Sequence, residues 1–170
     1  MMCGITGTPG TGKSTAADEL ARRGHPVIHL AGTVRAYITG RDPERDTLVI
    51  DEDRWAREFV PVEGFVEGHL AHLLPCDRVV ILRCSPDRLL ERLHARGYGG
   101  AKCLENAEAE ALDVCLVETL EVHGPEHVLE LDTTALSPGA VADLIEDFLK
   151  GRIPPSHGRI DWSGFLAGAE

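Results

Sequence analysis

Eight residues near the N-terminus, Gly7-Thr8-Pro9-Gly10-Thr11-Gly12-Lys13-Ser14, carry the spacing G-x-x-x-x-G-K-S, and no other feature restricts the fold of the chain so tightly. The pattern works only between a buried strand and a helix. Its glycines let successive backbone N–H groups turn inward around phosphate oxygens. The helix that follows directs its positive end at the same anion. Met2-Cys3-Gly4-Ile5-Thr6 is apolar enough for the strand, and Lys13 to Arg22 places Ala17, Leu20 and Ala21 on one helical face. The motif predicts a cradle for a nucleoside triphosphate. Lys13 is placed for the β- and γ-phosphates, Ser14 for Mg²⁺, and Thr15 for the α-phosphate.

Further strands are expected at Val27 to Leu30, Gly64 to Glu67, Arg78 to Arg83 and Val128 to Leu131. Helices fall between them. One is capped by Asp51 and carries Trp55 and Phe59. Another opens at Ser85-Pro86-Asp87 and ends at Arg96-Gly97. A long one covers roughly Leu104 to Val122, and a last one Pro138 to Leu149. Alternation of this kind implies a five-stranded parallel sheet with helices on both faces, an α/β fold. Arg41-Asp42-Pro43-Glu44-Arg45-Asp46 has no apolar period and reads as a loop, as do Gly97-Tyr98-Gly99-Gly100 and the tail from Gly151.

With 170 residues the chain is the size of a single domain, and no run approaches the ~18 apolar residues of a membrane span. The first residues lack a basic-then-apolar leader, so a soluble, cytoplasmic protein is expected. Five cysteines without a C-x-x-C pair make neither a disulfide framework nor a zinc site. A net charge of −11 disfavours strong direct binding to nucleic acid and suits a basic protein partner. His69 and His72 stand three apart without an evident third ligand, which argues against a transition-metal site.

Four segments together narrow the reading. They are the P-loop with Thr6 and Thr15; Asp51-Glu52-Asp53-Arg54; Glu67-Gly68-His69; and Glu91-Arg92-Leu93-His94-Ala95-Arg96-Gly97-Tyr98 with Lys102 and Glu105-Asn106. In this order the chain resembles the adenylate kinase isoenzyme 6 family in its archaeal form, and Gly158-Arg159-Ile160-Asp161-Trp162 is similar to that family too. The resemblance implies a three-layer P-loop nucleoside-monophosphate-kinase-like domain over residues 1–150. Its monophosphate-binding insertion would lie at about 31–60, its short lid at about 96–106, and a C-terminal tail would follow at 151–170.

The resemblance also implies roles. Gly10, Gly12, Lys13, Ser14 and Thr15 would bind ATP, and Arg96 would be the lid arginine on the triphosphate. Arg35 would hold the acceptor's phosphate. Arg92 would supply a second charge to the transferring group, or else pair with a glutamate one turn away. Glu67 and His69 occupy the family's Asp-x-His position, where the acid orients Mg²⁺ through water and the histidine is tied to ATP hydrolysis. This chain departs from that pattern by carrying glutamate.

The expected reaction is MgATP + AMP ⇌ 2 ADP in a monomer, with some ATPase activity. The family further implies late small-subunit (16S rRNA) maturation, through a basic small-subunit ribosomal protein and the pre-ribosomal particle. Two alternatives stay open at this point. One is an ATPase assembly factor with little kinase activity, and the other a P-loop kinase acting on a different small molecule.

Overall fold

A computed structural model describes residues 1–43 and 47–167. Strand β1 (Met2–Thr6) is buried along its whole length, and helix α1 (Lys13–Arg22) follows the P-loop. After β2 (Val27–His29) comes a hairpin of β3 (Ile38–Asp42) and β4 (Thr47–Ile50), then α2 (Glu52–Glu58), β5 (Gly64–Glu67) and β6 (Arg78–Arg83). The second half holds α3 (Pro86–Ala95), α4 (Gly100–Ala111), α5 (Val114–Val122), β7 (Val128–Asp132), α6 (Pro138–Leu149) and the short α7 (Gly164–Ala167).

Five strands form one parallel sheet in the order β2-β5-β1-β6-β7. The chain therefore builds the expected three-layer α/β architecture. Alternate side chains of β1 and β6 feed opposite faces, as the two-residue period of a strand requires. Cys3, Ile5, Val80 and Leu82 pack under α1 and α6 with Leu20, Val141 and Ile145. Met2, Val79 and Ile81 pack on the other side with Trp55, Leu74 and Leu116. A third, smaller cluster of Cys84, Leu89, Leu93 and Cys103 seats α3 against α4. Asp51 caps α2 as expected, accepting from Arg54 N at 3.1 Å. All five cysteines are buried and unpaired.

Three expectations need correction. The long helix at 104–122 begins earlier, at Gly100, and breaks between α4 and α5, where Asp113 adopts a left-handed φ of 57°. The cause is non-local: Arg83 from β6 donates to the Glu110 carbonyl at 2.8 Å and holds the Asp113 carboxylate. Arg41 and Asp42 are not loop but lie in β3, paired with Leu48 and Thr47; Glu44 to Asp46 lie outside the described residues. The tail is also less irregular than composition suggests. Ser156 extends the sheet beside β7 by accepting from Glu130 N at 2.8 Å and donating to Val128 O at 3.1 Å, and α7 then lies against α4.

Candidate active site

The loop between β1 and α1 needs its glycines. Gly7 has φ 140°, and a Cβ there would sit 2.3 Å from the Leu82 carbonyl oxygen. Gly10 has φ 94° and is roofed by Leu89 and Leu93 of α3. Gly12, at φ 99°, precedes the first turn of α1. Inside the loop the Thr11 hydroxyl and Lys13 Nζ both donate to the Thr8 carbonyl, each at 2.9 Å. Lys13 is buried, and desolvation lowers its pKa to about 8, although the Glu67 charge works the other way.

Ser14 Oγ donates to Glu67 Oε1 at 3.1 Å, and the other carboxylate oxygen accepts from His29 Nδ1 at 2.8 Å. His29 Nε2 lies 3.4 Å from Asp18 Oδ1. Glu67 sits at the C-terminal end of β5, with only 6% of its surface exposed. A hydroxyl beside a carboxylate is a hard-oxygen donor pair of the kind Mg²⁺ accepts, the remaining positions going to water and substrate phosphates. Among the described residues no group of three or more His, Cys, Asp or Glu could hold a metal by itself.

Two cavities share the P-loop as a wall. The first, of about 260 Å³, is lined by Gly10, Gly12, Thr15, Arg92, Arg96 and Thr133 among others. Arg96 lies at the end of α3, exposed. Among the described residues Arg92 takes no glutamate partner. Its guanidinium donates to the carbonyls of Gly10 at 3.3 Å and Thr133 at 3.2 Å, which ties α3 to the P-loop. The second cavity, of about 430 Å³, lies across the loop and is lined by Thr8, Pro9, His69, Tyr98, Lys102 and Asn106, with Thr47 of the hairpin.

His69 Nδ1 donates to the Gly7 carbonyl at 3.2 Å, so Nε2 carries the ring's lone pair. Burial, and then the nearby Lys13 charge, hold its pKa below the usual value, which favours the neutral ring. His72 is no partner for it. Its Nδ1 bonds the Thr6 hydroxyl at 2.9 Å, and its Nε2, 3.2 Å from Glu118, is not aligned for a hydrogen bond. Arg35 stands apart from the other site residues, exposed on the turn Val34–Tyr37 and lining neither cavity.

Three site neighbours escape a sequence reading. Thr133 Oγ1 lies 2.7 Å from the Thr11 carbonyl, His29 supports Glu67, and Glu110 Oε2 accepts from the Thr8 hydroxyl at 2.5 Å. For His29 the only available signal was its place at the end of a strand, beside the nucleotide edge of a parallel sheet. Nothing local marks Thr133 or Glu110.

The AAA domain family matches residues 3–113. A protein of Methanothermobacter thermautotrophicus named "Putative adenylate kinase" is 48% identical over 173 residues, covering 99% of this chain and all of that protein. One of the same name from Natronomonas pharaonis is 48% identical over 169 residues, covering 98% of this chain and all of its own length. Among solved structures, deoxyadenosine kinase from M. mycoides with bound dATP superposes with a TM-score of 0.59 at 15% identity, over 88% of this chain and 100% of that one. Shikimate kinase from Bacteroides thetaiotaomicron gives a TM-score of 0.55 at 16% identity, over 88% and 98%. At those identities the structures speak to the fold alone.

Proposed function

The chain belongs to the archaeal P-loop family whose members bear the adenylate kinase name, and from that premise we propose that it transfers the terminal phosphate of MgATP to AMP. The observation that carries this reading is the pair of cavities on either side of one P-loop. A donor nucleotide lies along Gly10, Gly12 and Thr15, and an acceptor approaches from the side of Thr8, Pro9 and His69. Phosphoryl transfer asks mainly for positioning and charge neutralisation, and the residues present supply both.

In this reading the P-loop amides and Lys13 hold the phosphates, with Arg96 closing over them. Ser14 and, through water, Glu67 hold Mg²⁺, whose role is to neutralise charge on the transferring group. Arg92 acts by bracing the P-loop carbonyl of Gly10, a positioning task. Arg35 reaches the acceptor phosphate only if the 31–60 insertion closes over the site, a movement that substrate binding drives in enzymes of this type. The segment at 96–106 serves as the lid.

A second reading, an ATPase linked to ribosome assembly as in the isoenzyme 6 family, is supported by the neutral His69. His69 lines the acceptor-side cavity, and its Nε2, outside the bond to Gly7, can orient a water in place of AMP. The net charge of −11 suits a basic ribosomal protein as partner. Incubation with MgATP, with and without AMP, separates the two readings by following ADP and free phosphate. AMP-dependent ADP formation that disappears in Lys13→Ala is the expected result. Phosphate release indifferent to AMP would sink the kinase reading.

A further inference from the structure

A buried ionic cluster lies directly beneath the P-loop, and the phosphate chemistry above does not use it. Arg83, at the end of β6, is 1% exposed. Its Nε donates to Glu110 Oε1 at 2.7 Å, and its two terminal nitrogens meet Glu130, Asp113 and the Glu110 carbonyl. Burial opposes the guanidinium's charge, but Glu110, Asp113 and Glu130 outweigh it and raise its pKa above the ordinary value. Glu110, also 1% exposed, accepts in addition from Cys84 N at 3.0 Å and from the Thr8 hydroxyl at 2.5 Å. Glu130 continues the chain of contacts outward, accepting from Gly158 N of the tail at 2.8 Å.

One carboxylate thus joins the P-loop, the sheet and α4. The rest of α4 is held differently. Its first turn follows Gly97, at φ 80°, and a Cβ added at Gly97, Gly99 or Gly100 would meet nothing within 4 Å. This end packs on α3 through Cys103, with Tyr98 just before the helix and Lys102 within it lining the acceptor-side cavity. The opposite end is clamped through Glu110 and Asp113, where the helix breaks.

We propose that Glu110 is a positioning residue: through Thr8 it locks the P-loop to the fixed end of α4, so that the lid end of this helix swings about a pivot in register with the phosphates. The proposal rests on the phosphotransferase reading of the same site. Thr8 turns its side chain away from the phosphates and into this contact, so its hydroxyl is the part of the P-loop that reports on the pivot.

Thr8→Val removes the hydroxyl at nearly constant volume, and Thr8→Ser keeps it. Glu110→Gln retains an acceptor for Arg83 and presents an amide that can donate to Thr8, so it preserves the tie without the charge. A misplacement near 1 Å at a reacting centre costs on the order of 100-fold, and a loosened pivot should cost about tenfold. Thr8→Val is expected to lower kcat for AMP-dependent ADP formation about tenfold while changing the KM for ATP little, whereas Thr8→Ser and Glu110→Gln, each made alone, should retain most of the wild-type rate. Amide exchange at residues 107–113 should accelerate in Thr8→Val, measured without any nucleotide. Unchanged kcat and exchange in Thr8→Val, or equal losses in Thr8→Val and Thr8→Ser, would overturn the proposal. A wild-type protein that makes no ADP from AMP would refute the kinase reading instead, and the exchange measurement would still decide the role of Glu110.

Discussion

The Ser14 hydroxyl donates to Glu67 Oε1 across 3.1 Å, joining the first turn of α1 to the C-terminal end of β5. The longer acid side chain also lets Oε2 accept from His29 at 2.8 Å, on the neighbouring strand β2. Glutamate, where the resemblance implies aspartate, is therefore built into a three-residue arrangement, with one oxygen toward Ser14 and the other held from behind by His29. Glu67→Gln keeps the size and removes the charge. Partners that orient metal ligands cost about 10- to 100-fold when lost, so the rate should fall by that much and the Mg²⁺ requirement should rise. Initial rates against Mg²⁺ concentration test this, and a wild-type curve would count against a metal role.

Lys13 should impose a pH limit on nucleotide binding. Burial brings its pKa to about 8, so above that pH the unliganded protein progressively loses the cation proposed to meet the phosphates. ATP affinity is expected to decline as pH rises through this value. Bound phosphate charge raises the lysine again, so binding near this pH takes up a proton, which calorimetry in buffers of different ionisation enthalpy detects. The stability effect has the opposite sense. Between about pH 8 and the ordinary lysine value of 10.5 the unfolded chain holds more protons, so this group adds stability as pH rises across that window.

Gly7→Ala tests the loop's geometry. The new Cβ would lie 2.3 Å from the Leu82 carbonyl oxygen, at a φ of 140° that side chains avoid. Strain of this kind plus a backbone clash should destabilise the protein by about 3 kcal/mol and abolish ATP binding, read by denaturant unfolding and titration calorimetry. Gly99→Ala, where an added Cβ meets nothing within 4 Å, is the matched control and should leave stability within about 0.5 kcal/mol.

Arg83→Met should be among the most damaging changes outside the P-loop. It leaves Glu110 and Glu130 buried side by side with no cation between them. Breaking a buried pair from one side costs about 3–5 kcal/mol, and chemical denaturation measures it directly. A loss below about 1 kcal/mol would mean that water reaches the cluster.

The P-loop was legible because everything it needs is contiguous. An apolar strand, glycines at fixed spacing, and a lysine and serine opening a helix act through local backbone conformation and the helix end, so eight residues suffice to specify the cradle. Strand periodicity and the Asp51 cap were readable for the same reason, since their signals lie within a few residues. The tertiary structure alone decided what stands around that cradle. Thr8 meets Glu110 across 102 positions, Thr133 meets Thr11 across 122, and Glu67 meets His29 across 38. The break between α4 and α5 belongs here too, because Arg83 captures the Glu110 carbonyl from another strand and overrides a sequence that would continue the helix. Contacts like these follow from strand order and packing, which bring distant residues together only once the sheet has assembled.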